Sequence, residues 1–490
     1  MDQFYSWKEE NGSWQRNMGS METFYLSLAA PEGQPVHWMI GSGVSIAYRG
    51  DDDVDVAEAL KQAWRRVRHD LPSVGATVDL VNQRLVVGPD DDVSVEAWLQ
   101  SSFRVHDGIT ADQLFSGFKS RFSITLHFLR GTNELVMQAM HALLDGRGML
   151  YLFDALFKRL SRPGDAHAAG GARNRPNLTR PLDEWLGLSQ SPSRQNVEDA
   201  QVLFRRLVQD KPVGLAGVDL GLTPARPAHK ELCLSEKDTQ RIVDACKSKG
   251  ITVTTAWHAA VATAIQVRTC PCPLPPPARC ESNPAEEAST LITATARQKI
   301  QSEEGEAGTT YAQFTTIDLR RWFPAPFDAE QHSVGSLQTA LPFVVDLGED
   351  SSFDSIAERL QRDYKKPFAF AHDDLGCLVP GMAMYRRMLA GGHVPPSSTP
   401  YLSSMGVVDD FVSPRYGGWE IAEYWVSSTM LTADFQVYLW TWRGQMVLSA
   451  CYNEAFYEAA RVGDVLGAVR HEMEKGLGVW CRNRRGLTSG

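Results

Sequence analysis

Apolar positions change their spacing from one stretch of the chain to the next, and the changes mark out its elements. Val56, Leu60, Ala63, Trp64 and Val67 share one helical face within residues 54 to 69, which Leu71-Pro72 ends. A shorter helix is expected over 94 to 103. Residues 122 to 129 and Leu135 to Met140 are apolar runs of strand length, separated by the hairpin-type break Arg130-Gly131-Thr132-Asn133. After His141 the chain turns through Asp145, Gly146 and Gly148. Leu150, Phe153, Leu156, Phe157 and Leu160 then resume helical spacing. His141 therefore stands where a buried strand meets a helix, held by packed backbone on both sides. That mount suits a group that accepts a proton from something in a cleft.

Residues 161 to 230 change character, with Gly164, Gly170, Gly171 and repeated Pro and Arg around one expected helix from 196 to 208. Trp185, Leu186, Leu203 and Phe204 are anchors, so the stretch reads as a crossover between lobes. A second lobe opens with a short strand at 231 to 234. Ser235 caps a helix striped by Ile242, Val243 and Cys246 and ended by Gly250. Residues 251 to 265 are small and apolar throughout, a buried helix in which His258 reads as a core histidine. Residues 269 to 309, Pro-rich and then acidic, read as a surface insertion. A strand from Tyr311 leads to Asp318-Leu319-Arg320, with Pro324 beyond. A helix over 353 to 364 opens at Asp350-Ser351-Ser352. Strands are expected at 401 to 408, 419 to 426, 434 to 442 and 446 to 452, followed by a closing helix with Val465, Leu466, Val469 and Met473. The expected division is 1–160, an N-terminal α/β lobe; 161–230, the crossover; and 231–490, a C-terminal α/β lobe.

Composition narrows the class. With 490 residues, 43% of them hydrophobic and 22% charged, the chain reads as a globular protein of two lobes. A net charge of −10 argues against nucleic acid as a partner, because displacing counterions needs a basic face. The first eighteen residues lack the basic start and apolar middle of a signal peptide, and no run reaches the roughly 20 apolar residues of a membrane span. A cytoplasmic monomer is expected. The eight cysteines form no regular framework and fit reduced thiols. Cys270, Cys272 and Cys280 cluster among prolines without a second ligand pair, so no zinc site is expected there.

His141-Ala-Leu-Leu-Asp145-Gly146 fits the pattern H-x-x-x-D-G. Three further blocks follow in order: the helix at 251 to 265, the Asp318-Leu319-Arg320 segment with Ser333-Val-Gly-Ser-Leu337, and the closing hairpin and helix. Through these the chain, over about residues 20 to 475, resembles the chloramphenicol-acetyltransferase-like superfamily. That superfamily includes condensation domains of peptide synthetases, plant alcohol acyltransferases and fungal O-acetyltransferases. It looks most like the trichothecene 15-O-acetyltransferase group. The resemblance implies an α/β fold of two similar lobes, each a mixed sheet with flanking helices, with the active site in the cleft between them. It implies His141 as the catalytic residue, and Asp145 paired with Arg320 in support of the site together with Gly146. From residue types alone, Asp145 reads equally as a plain helix cap. Two departures count. Met140 stands where amide-forming condensation domains have a second histidine, and the D-F-G-W-G segment of the plant branch is absent.

Acyl transfer from a thioester to an alcohol needs a base for the hydroxyl. An imidazole with an ordinary pKa near ~6.5 can take that proton and return it to the leaving thiolate. No G-x-S-x-G occurs in a strand-turn-helix setting, so direct attack in a ternary complex is expected rather than an acyl-enzyme. Ser403, Ser404, Ser428 and Thr429 are candidates by position for oxyanion or substrate contacts. Trp419, Trp425, Trp440 and Trp442 suit either an apolar acceptor or the core. Metal, nucleotide and flavin motifs are absent, so no bound cofactor and no effect of EDTA are expected. The expected function is an O-acyltransferase using acyl-CoA as co-substrate, with acetyl the simplest acyl group, on a hydroxylated terpenoid or polyketide. Open alternatives are a stand-alone scaffold reused for cyclisation or carrier-dependent acyl transfer, and a non-catalytic binding protein.

Overall fold

The computed structural model describes residues 3–50, 53–162, 177–208, 212–215, 217–269, 310–325, 327–332, 334–348, 351–368, 375–390 and 397–479. The 270–309 part of the expected insertion lies outside these residues. So do Gly164, Gly170, Gly171, Cys270, Cys272, Cys280, Ser333 and Asp350.

Two six-stranded sheets carry the molecule, and a four-stranded sheet is added by Lys8–Glu10, Ser13–Asn17, Ala76–Asp79 and Arg84–Val87. In the first large sheet Glu134–Met140 lies between Thr125–Leu129 and Met39–Tyr48, antiparallel to both. Asn133, in the expected hairpin break, adopts a φ of 53°, the left-handed conformation that asparagine tolerates. In the second sheet Tyr401–Val407 is central, parallel to both Thr310–Asp318 and Gln436–Trp442. Gln338–Asp346 closes one edge and Pro227–Cys233 the other.

In both lobes a hairpin runs into a helix: Thr125–Met140 into Gly146–Leu160, and Gln436–Asn453 into Ala459–Leu477. Gly146–Leu160 packs on Val56–Asp70, and Ala459–Leu477 on Val253–Thr269. The last of these is largely buried over residues 255–265, as its run of Ala256, Ala259, Ala260 and Ala262 allows, since small side chains let helix backbones approach. His258 lies inside it, with Nδ1 3.0 Å from Tyr364 Oη and Tyr311 and Phe343 around the ring. It is the core histidine that its mid-helix position implied.

Two strands depart from the sequence-based division, Trp419–Ser428 and the short Arg415–Tyr416 paired to it. Trp419–Ser428, counted with the second lobe, hydrogen-bonds along Met39–Tyr48 and completes the first lobe's sheet. Its strand propensity was plain, but its partner was not, because pairing is decided by packing that a single strand does not encode. The packing is visible at Gly43. It faces Trp425 across the ladder, and a Cβ there would come within 2.4 Å of Trp425 Nε1. The crossover holds a second, short helix, Leu182–Trp185, beside Arg194–Val208. No helix among the described residues is long and apolar enough to cross a membrane.

Candidate active site

A cleft partly open to solvent lies between the two large sheets. Its floor is the second sheet. Tyr401 to Met405 line it consecutively from the central strand, whereas Phe314, Thr316 and Asp318, then Gln338 and Ala340, then Gln436 and Tyr438 alternate along three others. This alternation is the period of two that puts i, i+2 and i+4 on one side of a strand. The roof comes from the first lobe: Phe24 and Tyr25 from the helix Ser20–Leu26, then Trp38, Ile40, His141, Gly146 and Arg147. The crossing strand adds Val426 and Ser428.

His141 sits just past the end of its strand, with the Tyr25 ring stacked on the imidazole at 4.1 Å and 3° between planes. Its Nε2 faces the Gln338 amide nitrogen at 3.3 Å, and the same nitrogen donates to Tyr25 Oη at 2.9 Å. Burial pushes the imidazole down to about 4, while the Asp145 charge and the residue's own backbone carbonyl pull the other way. This is well below the ordinary value on which the sequence reading relied. Periodicity put His141 at an element end without showing that an aromatic ring covers it.

Asp145 does not orient the imidazole through a hydrogen bond, because both its oxygens are engaged elsewhere. Oδ1 accepts from Gly148 N at 2.7 Å and Arg320 Nη2 at 2.9 Å, and Oδ2 accepts from Leu337 N at 2.7 Å. The two readings of Asp145 are therefore both true: it caps the helix Gly146–Leu160, and it ties the first lobe to two segments of the second. Asp145 is fully buried and Arg320 nearly so. Burial opposes the Arg320 charge, yet Asp145 and Asp318 outweigh it and hold the guanidinium above its ordinary value. Gly146 fits the same turn for steric reasons, since a Cβ there would lie 3.0 Å from Met405 Sδ of the second sheet.

The hydroxyl candidates divide. Ser403, Ser404 and Ser428 line the cleft with His141; they pair with Thr316, Thr254 and Tyr438 at 3.2, 2.9 and 2.5 Å. Thr429 does not line it. Its Oγ1 donates to Val36 O and accepts from Met39 N, and its carbonyl takes the Trp38 N–H. These bonds brace Trp38 at a φ of 57°, costly for so bulky a residue, and so hold its indole in the roof. Trp419, Trp425, Trp440 and Trp442 are core and stay out of the lining. Tyr25, Trp38, Arg147 and Gln338 escaped the sequence reading, since none lies in a chemical motif. For Gln338 the one usable signal was a polar residue on the cleft-facing phase of a strand.

Comparison with solved structures decides the fold. The chain superposes on trichothecene 15-O-acetyltransferase TRI3 from Fusarium sporotrichioides with a TM-score of 0.72, at 15% identity over 96% of this chain and 98% of that one. It also superposes on the first condensation domain of the calcium-dependent antibiotic synthetase, with a TM-score of 0.61 at 14% identity over 95% and 97%. The fold is the one that these acetyltransferase and condensation-domain structures share. In sequence the chain is similar to O-acetyltransferase pigM of Monascus ruber, 24% identical over 458 residues, which cover 90% of this chain and 81% of that one. Acetyltransferase pigO of the same organism is 24% identical over 494 residues, 96% of this chain and 98% of its own. No family model matches the chain.

Proposed function

We propose that the chain is an acyltransferase of secondary metabolism that moves an acyl group, acetyl in the simplest case, from acyl-CoA to a hydroxyl of a small apolar acceptor. The observation that carries this reading is a half-buried imidazole, stacked against Tyr25, that lines a cleft walled by Phe24, Trp38, Phe314, Tyr385 and Tyr401. The resemblance to named acetyltransferases over nearly the whole chain supports it.

In this mechanism the acceptor hydroxyl gives its proton to His141 Nε2 as its oxygen attacks the thioester carbonyl. The tetrahedral oxyanion draws on hydroxyl donors of the cleft, among which Ser403, Ser404 and Ser428 are available. Collapse breaks the C–S bond, and the thiolate takes the proton back from the imidazolium. A base with a lowered pKa remains neutral, and so ready to accept, across the physiological range. Asp145, Gly146 and Arg320 keep the lobes in register around the imidazole. The acyl thioester enters as a co-substrate and no bound cofactor takes part. The protein works as a monomer in the cytoplasm.

The test is incubation of the full chain with acetyl-CoA and a panel of hydroxylated polyketides and terpenoids, reading free thiol and acetylated product together. Thiol release that depends on an acceptor and disappears in His141→Ala is the expected result. Acetylated product formed equally well by His141→Ala would overturn the role of this histidine. Product formed only from a carrier-bound acyl group would replace CoA as the donor.

A further inference from the structure

His141 Nε2, the atom from which the proposed base acts, already has a partner within the chain. Gln338 directs its amide nitrogen at Nε2 (3.3 Å) and at Tyr25 Oη (2.9 Å). An amide nitrogen carries two protons and accepts nothing, so the imidazole nitrogen facing it is the acceptor. A neutral imidazole has one N–H, which then belongs to Nδ1. Nδ1 is buried and has no hydrogen-bond partner, so the group facing Nε2 is the one polar contact that bears on the tautomer.

The position of Gln338 is itself fixed by the lobe contact. The preceding residue, Leu337, donates its N–H to Asp145 Oδ2 at 2.7 Å, and Asp145 lies four residues beyond His141. The same carboxylate that joins the lobes therefore sets the start of the Gln338–Asp346 strand against the end of the His141 strand. Tyr25, stacked on the imidazole and bonded to the same amide, blocks rotation of the ring out of this arrangement.

We propose that Gln338, held in register by the Asp145–Leu337 bond, is a positioning residue that sets the His141 tautomer, keeping the proton on Nδ1 and the lone pair of Nε2 towards the cleft. The inference rests on the reading of His141 as a general base. The acceptor hydroxyl has to donate to the same lone pair. It therefore takes the place of the Gln338 N–H at Nε2, while the amide keeps its bond to Tyr25. The base is thus presented in its accepting form before substrate arrives, as partners of metal-bound histidines fix their tautomer through the other ring nitrogen.

Two substitutions separate this role from mere packing. Gln338→Leu keeps the bulk and removes both donors. Because a donor at Nε2 favours the neutral ring, its loss should move the acid limb of kcat/KM upward by about one unit. Gln338→Glu replaces a donor with an acceptor, which draws the proton to Nε2, and kcat should fall about 10²-fold or more with KM for acetyl-CoA little changed. The direct readout is the ¹⁵N spectrum of histidine-labelled full-length protein, with the His141 signals assigned by their loss in His141→Ala. The wild type should show the Nδ1–H tautomer, and Gln338→Glu should shift it towards Nε2–H. A wild-type spectrum with the proton on Nε2, or folded Gln338→Leu and Gln338→Glu variants with unchanged tautomer, overturns the inference. The spectrum needs no turnover. A tautomer that follows Gln338 in a protein that releases no thiol would therefore uphold this inference while removing the acyl-transfer reading.

Discussion

At the scale of single residues, the proposed chemistry turns on how far His141 is withdrawn from water. Its sequence setting, a strand end before a Gly-rich turn, was enough to single it out, but its proton affinity was not legible. That depends on burial, to which Tyr25, over a hundred residues away in sequence, contributes by stacking on the ring. His141→Ala should leave the far-ultraviolet circular dichroism unchanged and lower turnover by about 10²- to 10⁴-fold, the usual worth of a positioned base. Near-normal turnover would remove it from the mechanism. The pH profile tests its burial. The imidazole must be neutral to accept a proton, and burial pushes it down to about 4. The rate should therefore hold as pH falls through the ordinary histidine range and drop only on approaching that value. A limb in kcat/KM near ~6.5 would mean that the ring is solvated as in a free histidine.

Elements were more legible than their partners. Helix caps and the hairpin turns followed from local chemistry: Ser235 and Ser352 cap the helices they were expected to open, and Gly250 ends one at a φ of 66°. The contact of Asp145 with Arg320 came from the family resemblance, whereas its third partner, Leu337 N, carries no side-chain signal at all. Arg320→Ala leaves the buried Asp145 without a charge partner and should destabilise the protein by about 3–5 kcal/mol, whereas Asp145→Ala leaves Arg320 still paired with Asp318 at 3.0 Å and should cost less. The double variant should cost clearly less than the sum, because the two losses share one interaction. Additive losses in chemical denaturation would show that Asp145 acts as a cap alone. Gly43 is a sharper test of the sheet. Its place under the Trp425 ring leaves no room for a methyl group, so Gly43→Ala should cost about 1–3 kcal/mol as overpacking. An unchanged urea midpoint would mean that the ring moves aside freely.

For the whole molecule, the crossing strand makes the division into lobes a matter of shape rather than of independent folding. Trp419–Ser428 supplies backbone partners along nearly all of Met39–Tyr48, and the buried apolar residues of both sheets form one continuous cluster. A fragment ending at residue 230 would hold every residue of the H-x-x-x-D-G turn, yet would lack this strand, Arg320 and Leu337. It would expose the unpaired edge of Met39–Tyr48, with Ile40, Val44 and Ile46 stripped of cover. Exposed apolar edges pair with other chains. The 1–230 fragment should therefore be insoluble, or lack slowly exchanging amides in the Glu134–Met140 strand. The intact chain should lose its first-lobe and second-lobe structure together when denatured. Hydrogen exchange on the two proteins reads this directly: native-like protection of Glu134–Met140 in a soluble fragment would show that the first lobe folds alone, with the cleft a later assembly of two finished parts.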